Sequence, residues 1–120
     1  MKEFIKVMKA LSDPSRVRIV KMLGRKVMCV CELQNALELA QSTVSKHLKI
    51  LEEAGLIEFY KEGLWVNYRL ADGSDSPYAA SLLGHLKHWL EDDAGIQGLM
   101  DRLPDINREE ICSKGRALAS

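Results

Sequence analysis

Between residues 41 and 70 the hydrophobic period of this chain switches once, and few folds accommodate that switch. In "QSTVSKHLKILEEAGLI" Val44, Leu48 and Leu51 recur at i, i+4, i+7, the spacing of a buried helical stripe. Ser42, Lys46, Lys49 and Glu53 fall on the opposite, solvent face; Thr43 and Ser45 flank it, and His47 lies nearer the buried side. Gly55 stops this helix, which begins near Gln41. The segment that follows, "LIEFYKEGLWVNYRL", is rich in aromatic and β-branched residues around Glu62-Gly63. It predicts two strands, about 56–61 and 65–70, joined by a short turn.

Helices surround that unit. Phe4, Ile5, Met8 and Leu11 keep helical spacing, and "LSDPSR" reads as a stop and restart, with Ser12 or Asp13 as cap and Pro14 in the first turn. The second helix carries Val17, Val20 and Leu23 and ends at Gly24. A third covers about 30–37, with Leu33 and Leu37 facing inward. After the polar "ADGSDSP", a longer helix is expected from Tyr78 to about Asp92, burying Leu82, Leu86, Trp89 and Leu90. The order is helix, helix, helix–turn–helix, β-hairpin, helix: a mainly α chain with a β-hairpin (α+β), the winged helix–turn–helix. Residues 1–95 read as one such domain. Residues 96–120 read as a C-terminal tail with a short helix and a frayed end.

The 120 residues suffice for one core. Net charge is zero, but its distribution is uneven: residues 1–26 carry eight Lys/Arg against Glu3 and Asp13, a net of +6, and residues 91–110 a net of −5. A locally basic face suited to nucleic acid is therefore compatible with a neutral total. The opening "MKEFIKVMKALSDP" lacks a continuous apolar core, so no signal peptide is expected, and no stretch reaches the roughly 18 apolar residues of a membrane span. Three cysteines without an export signal point to the reducing cytoplasm, where thiols serve as ligands or redox groups rather than structural disulfides.

A helix–turn–helix presents the start of its second helix to base edges in the major groove, while flanking groups hold phosphates. Gln41, Ser42, Thr43 and Ser45 supply short polar groups there, and Lys46 and Lys49 supply charge; His47 reads as a hydrogen-bonded, partly buried neighbour. At the hairpin tip Lys61 and Gly63 can approach an adjacent groove, against the repulsion of Glu62.

"ALSDPSRVRIVKML", "CVCEL" and "QSTVSKHLKILEEAGLI" together resemble the ArsR/SmtB family of bacterial metal- and metalloid-responsive repressors, over about residues 5 to 90. The resemblance implies a homodimer built from the first and last long helices, binding an inverted-repeat operator and released by an inducer. Phe4, Met8, Leu82, Leu86, Trp89 and Leu90 then become candidate interface residues, with plain monomer core as the alternative for each.

Cys29-Val30-Cys31 resembles the arsenic-sensing site of the arsenical repressors. Soft thiolates select soft ions, and trivalent arsenic or antimony takes up to three sulfurs in a pyramid. Residues i and i+2 diverge on a helix but share a face of an extended segment, so one ion held by both sulfurs opposes regular helix at 29–31. Where the arsenical motif has a third Cys, this chain has Gln34, which leaves Cys112 as the remaining thiol. No organic cofactor is implied.

Three other readings compete. A zinc-type sensor of the same family would use its last long helix, and Asp72, His85 and His88 lie in the corresponding stretch, but Ser74 replaces a ligand. A dithiol redox switch would use the same two cysteines. A Cys-x-Cys thiol enzyme would need an activating anion loop, which "VMCVCELQ" does not supply.

Overall fold

The computed structural model describes residues 1–107. Its elements are α1 (Lys2–Ala10), α2 (Pro14–Leu23), β1 (Met28–Cys29), α3 (Val30–Leu37), α4 (Gln41–Glu53), β2 (Ile57–Glu62), β3 (Trp65–Leu70), α5 (Pro77–Leu86) and α6 (Ala94–Arg102), followed by a single 3₁₀ turn, Leu103–Asp105. The strands form one antiparallel sheet in the order β1-β3-β2. The core gathers Val7, Ile19, Met22, Leu33, Val44, Leu48, Leu51 and Leu56, so every helix from α1 to α4 contributes to it.

Local chemistry sets the helix ends. Asp13 caps α2, accepting from the Ser15 amide at 2.8 Å and the Arg16 amide at 3.2 Å, and Pro14 occupies the first turn. Helix α4 closes as a Schellman turn: the Gly55 amide bonds Glu52 O at 3.0 Å, the Leu56 amide bonds Leu51 O at 3.0 Å, and Gly55 takes φ +78°. That left-handed residue turns the chain directly into β2. The hairpin loop is Gly63-Leu64, with Glu62 opposite Trp65 and φ +60° at Gly63, one residue later than the Glu62-Gly63 centre expected. Gly at the first loop position with positive φ matches the turn whose twist suits a hairpin.

Burial alone would push the Asp13 carboxyl up, but the Arg16 and Ser15 amides and the Arg16 guanidinium outweigh it and hold the group below its ordinary value. A depressed carboxylate stabilises the fold fully above its unfolded pKa, and that contribution is lost as pH falls through the lower folded value. Asp13→Ala should cost about 1 kcal/mol at neutral pH. Asp13→Asn, which keeps a capping oxygen, should cost less, and its deficit should shrink below about pH 4. Thermal unfolding of both variants across pH 3–7 checks this.

The fifth helix departs from expectation. It stops at Leu86 instead of running to Asp92, because the amine of Lys21, only 8% exposed, takes the carbonyl oxygens of Leu86 and Trp89, each at 2.8 Å, and Glu91 Oε1 at 2.9 Å. Leu90 then adopts φ +64°, and Asp93 caps α6 by accepting from the Ile96 amide at 3.0 Å. A buried ammonium is tolerated where three oxygens surround it. Leu86 is therefore core, at 7% exposure, whereas Trp89 and Leu90 lie beyond the helix and are exposed. Helix α6 is the short helix expected in the tail. It packs on α2, and Leu99, Leu103 and Ile106 join the main core, so packing continues unbroken across residue 95.

Among the described residues, no helix is long and apolar enough to cross a membrane.

Candidate nucleic-acid interface and thiol site

Helices α3 and α4 pack together through a turn at 38–40, where Glu38 takes a left-handed conformation, φ 56°. Val44, Leu48 and Leu51 are buried as the sequence predicts, and they seat α4 against α1, α2 and α3. Gln41, Ser42, Thr43, Ser45, Lys46 and Lys49 are all exposed. No side chain caps α4: Ala40 precedes it, whereas Asp13, Ser76 and Asp93 cap α2, α5 and α6. Uncapped N–H groups at a helix start are donors suited to a phosphate.

His47 is half-buried. Its Nδ1 lies 3.2 Å from Arg16 Nη1, and the guanidinium, which has no acceptor, must be the donor. Arg16 also donates to Ala10 O at 2.7 Å and Lys9 O at 3.2 Å. His47 therefore fastens α4 to the α1–α2 corner and positions the helix. Lys61 and Gly63 are exposed on the hairpin, the wing, beside Leu64 at its tip. Farther back, Arg69 bonds Glu58 Oε1 at 2.7 Å and stacks over Tyr60 at 4.7 Å, which stiffens the wing's stem.

The two cysteines straddle a strand–helix junction. Cys29 pairs with Asn67 in the ladder between β1 and β3, and it is also the N-cap of α3, with extended backbone (φ −91°, ψ 172°). Its sulfur accepts from the Glu32 amide, and Glu32 Oε1 accepts from the Cys29 amide at 3.0 Å, a reciprocal capping box. Cys31 sits in the first turn of α3. Neither cysteine forms a disulfide among the described residues; Cys29 is 3% exposed and Cys31 is half-buried. The helix thus starts at Val30, as the sequence predicts, with extended backbone at Cys29 and helix already at Cys31. Cys112 lies outside the described residues.

Soft donors at positions i and i+2 suit a thiophilic ion. The zinc-type set is not assembled within the protomer: among the described residues, no three His, Cys, Asp or Glu side chains gather as a metal needs. Asp72 accepts from the Ser74 amide at 2.9 Å, and the His85 ring stacks on Trp89 at 4.9 Å.

Sequence reasoning missed β1, the buried Asn67 and the Lys21 clamp. A two-residue strand is too short for a periodicity signal. Lys21, inside "RIVKML", carries no local sign that it turns inward.

A polar helix seated on a helical partner, with a hairpin beside it, defines the winged helix–turn–helix of a DNA-binding transcriptional regulator. The description "Bacterial regulatory protein, arsR family" belongs to a family model that matches residues 13–58. The arsenic resistance transcriptional regulator ArsR1 of Pseudomonas putida is 40% identical over 92 residues, covering 73% of this chain and 72% of that one. The arsenical resistance operon repressor of Escherichia coli is 33% identical over 114 residues, 91% of this chain and 95% of its own. Among solved structures, a homodimeric winged helix–turn–helix DNA-binding domain from Mycobacterium bovis superposes with a TM-score of 0.61 at 27% identity, covering 84% of this chain and 81% of that one. The chain belongs to the ArsR family of bacterial regulatory proteins.

Proposed function

We propose that this protein is a homodimeric repressor of a metalloid-resistance operon, which binds an inverted-repeat operator and is released when trivalent arsenic or antimony is held by Cys29 and Cys31. The observation that carries the reading is the double duty of Cys29: one residue ends β1, opens α3 and contributes a candidate ligand sulfur. The arsenical regulators similar to this chain along most of its length support the choice of inducer.

Operator contact falls to Gln41, Ser42, Thr43 and Ser45 at the start of α4, with Lys46, Lys49 and Lys61 on phosphates. Gly63 lets the wing approach the backbone closely. Dimerisation falls to the exposed apolar side chains of α1 and α5, Phe4, Met8 and Tyr78, with Leu82 half-buried beside them and Trp89 and Leu90 at the edge. Phe4 and Tyr78 meet edge-to-face at 5.4 Å, so the two helices offer one joined surface. A homodimeric relative of the same fold supports this assembly.

Bound arsenic or antimony supplies strong, directional bonds to sulfur that a hydrogen bond from an amide cannot match. Drawing the Cys29 sulfur toward Cys31 removes the acceptor of the Glu32 amide and loosens the first turn of α3. An N-cap is worth about 0.5–2 kcal/mol, and sulfur, a weak acceptor, belongs at the low end. Counted in both protomers this gives about 1–2 kcal/mol, within the roughly 1–3 kcal/mol typical of coupling between sites. Because α3 packs directly on α4, the cost is transmitted to the operator-facing helix.

Salt dependence tests the operator face. Each phosphate contact contributes about −0.9 to the slope of log affinity against log salt. Lys46→Gln or Lys49→Gln, changed in both protomers, should therefore flatten the slope by about 2 and leave thermal stability within about 0.5 kcal/mol. Fluorescence anisotropy of operator DNA between 50 and 300 mM salt measures it, and an unchanged slope in both variants would remove these lysines from the interface.

A further inference from the structure

We infer that the small cavity between α2, β3 and α5 binds an organic acid, a carboxylate on a benzene-sized apolar body, taken up in exchange for the side chain of Glu91. The cavity measures about 180 Å³. An apolar cavity of roughly 150 Å³ is enough to admit benzene. Two kinds of side chain line it. Val20 of α2, Leu70 of β3, and Leu83 and Leu86 of α5 supply an apolar wall. Lys21, Arg25 and Lys87 supply positive charge against the carboxylate of Glu91, so three cations face one anion.

Lys21 is the fixed member of the charged set. Its side chain is 6% exposed, and its amine is held by the carbonyl oxygens of Leu86 and Trp89, each at 2.8 Å. Glu91 is the replaceable member. Its Oε1 lies 2.9 Å from the Lys21 amine and its Oε2 3.9 Å from Arg25 Nη2, while its side chain remains 47% exposed. The lining therefore already accommodates a carboxylate, supplied by a residue beyond the end of α5. The hydrogen bond and charge of Lys21, with smaller help from Arg25 and His88, hold that carboxyl below its ordinary value. Such a position favours an anion.

Exchange of one carboxylate for another keeps Lys21 and Arg25 paired, so the electrostatic terms nearly cancel. The apolar body decides the balance, because it covers Val20, Leu70, Leu83 and Leu86 as it enters. An inorganic anion has no body to place against that wall. Glu91 competes from within the same chain, at the high effective concentration of a tethered group, which keeps the affinity modest. Three aspects of recognition follow: the ligand needs its charge, it needs its ring-sized body, and weakening Glu91 helps it.

The test uses the full chain with sodium benzoate as the probe, read by NMR at the methyl groups of Val20, Leu83 and Leu86. Benzoate should shift these methyls saturably, with a Kd that is roughly millimolar. Benzamide, which keeps the ring without the charge, should bind at least about tenfold more weakly. Acetate, which keeps the charge without the ring, should also bind at least about tenfold more weakly. Glu91→Gln should tighten benzoate by about threefold or more, because the internal competitor loses its charge. Arg25→Gln, at an exposed side chain, should weaken it by about two- to fivefold. Both variants change exposed groups, so each should keep the wild-type methyl spectrum before the probe is added. Benzoate that leaves these methyls unshifted would overturn the inference. So would acetate or benzamide binding as well as benzoate, or benzoate affinity that does not rise in Glu91→Gln.

Discussion

Cys29→Ser should bind operator as well as wild type and ignore arsenite. Serine is a better N-cap than cysteine: its oxygen accepts from the Glu32 amide more strongly than sulfur does, so α3 should be as stable or slightly more so. What disappears is the soft ligand. In wild type, saturating arsenite should weaken operator affinity by about 5–150-fold, the span of a 1–3 kcal/mol coupling. In Cys29→Ser the ratio should fall close to one. Cys31→Ser should behave alike for the inducer, and its cap is untouched because Cys31 lies inside the helix. Anisotropy titrations with and without arsenite, in reducing buffer, measure the ratio directly. Full induction of both variants would leave the cysteines as ordinary core residues. Reducing conditions also separate this mechanism from a dithiol switch, which would respond to peroxide and not to arsenite.

Leu48→Ala should cost about 2–5 kcal/mol of stability, a large share of the 5–15 kcal/mol that holds a domain of this kind together. Leu48 is 1% exposed at the centre of the stripe that seats α4. The hole left behind borders Val44 and Leu51 on the same face and the core side chains of α1–α3, which cannot collapse into it without moving the helix. Denaturant unfolding should therefore show a lower midpoint, and operator binding should weaken with it. Lys49→Gln, one residue along, should do the reverse, losing operator affinity at unchanged stability. The contrast separates the two faces of one helix. Equal stability losses in the two variants would mean that α4 is not seated as described.

The limits of α4 were legible because its sequence states one thing: a clean apolar stripe, a polar opposite face and a glycine where the chain must turn left-handed. The position of β2 and β3 was legible for the same reason, to within a residue at the loop. Helix α5 was misjudged at its end because "HLKHWLED" has no helix breaker; the stop comes from Lys21, a residue 65 positions away along the chain from Leu86. No local pattern encodes that contact. The exposed polar residues at the start of α4 could be found from spacing alone, and so could the Cys-x-Cys pair. The capping role of Cys29 and its ladder partner Asn67 depend on which groups meet in the fold, and spacing carries no information about that.

Amide hydrogen exchange at Glu32 bears most directly on the proposed coupling between arsenite binding at Cys29 and release of DNA by α4. Its N–H is held by the Cys29 sulfur, so arsenite added under reducing conditions should speed its exchange, along with that of neighbouring amides in the first turn of α3, in step with operator release. Protection at Glu32 that stays the same in arsenite-loaded protein already free of its operator would contradict the mechanism.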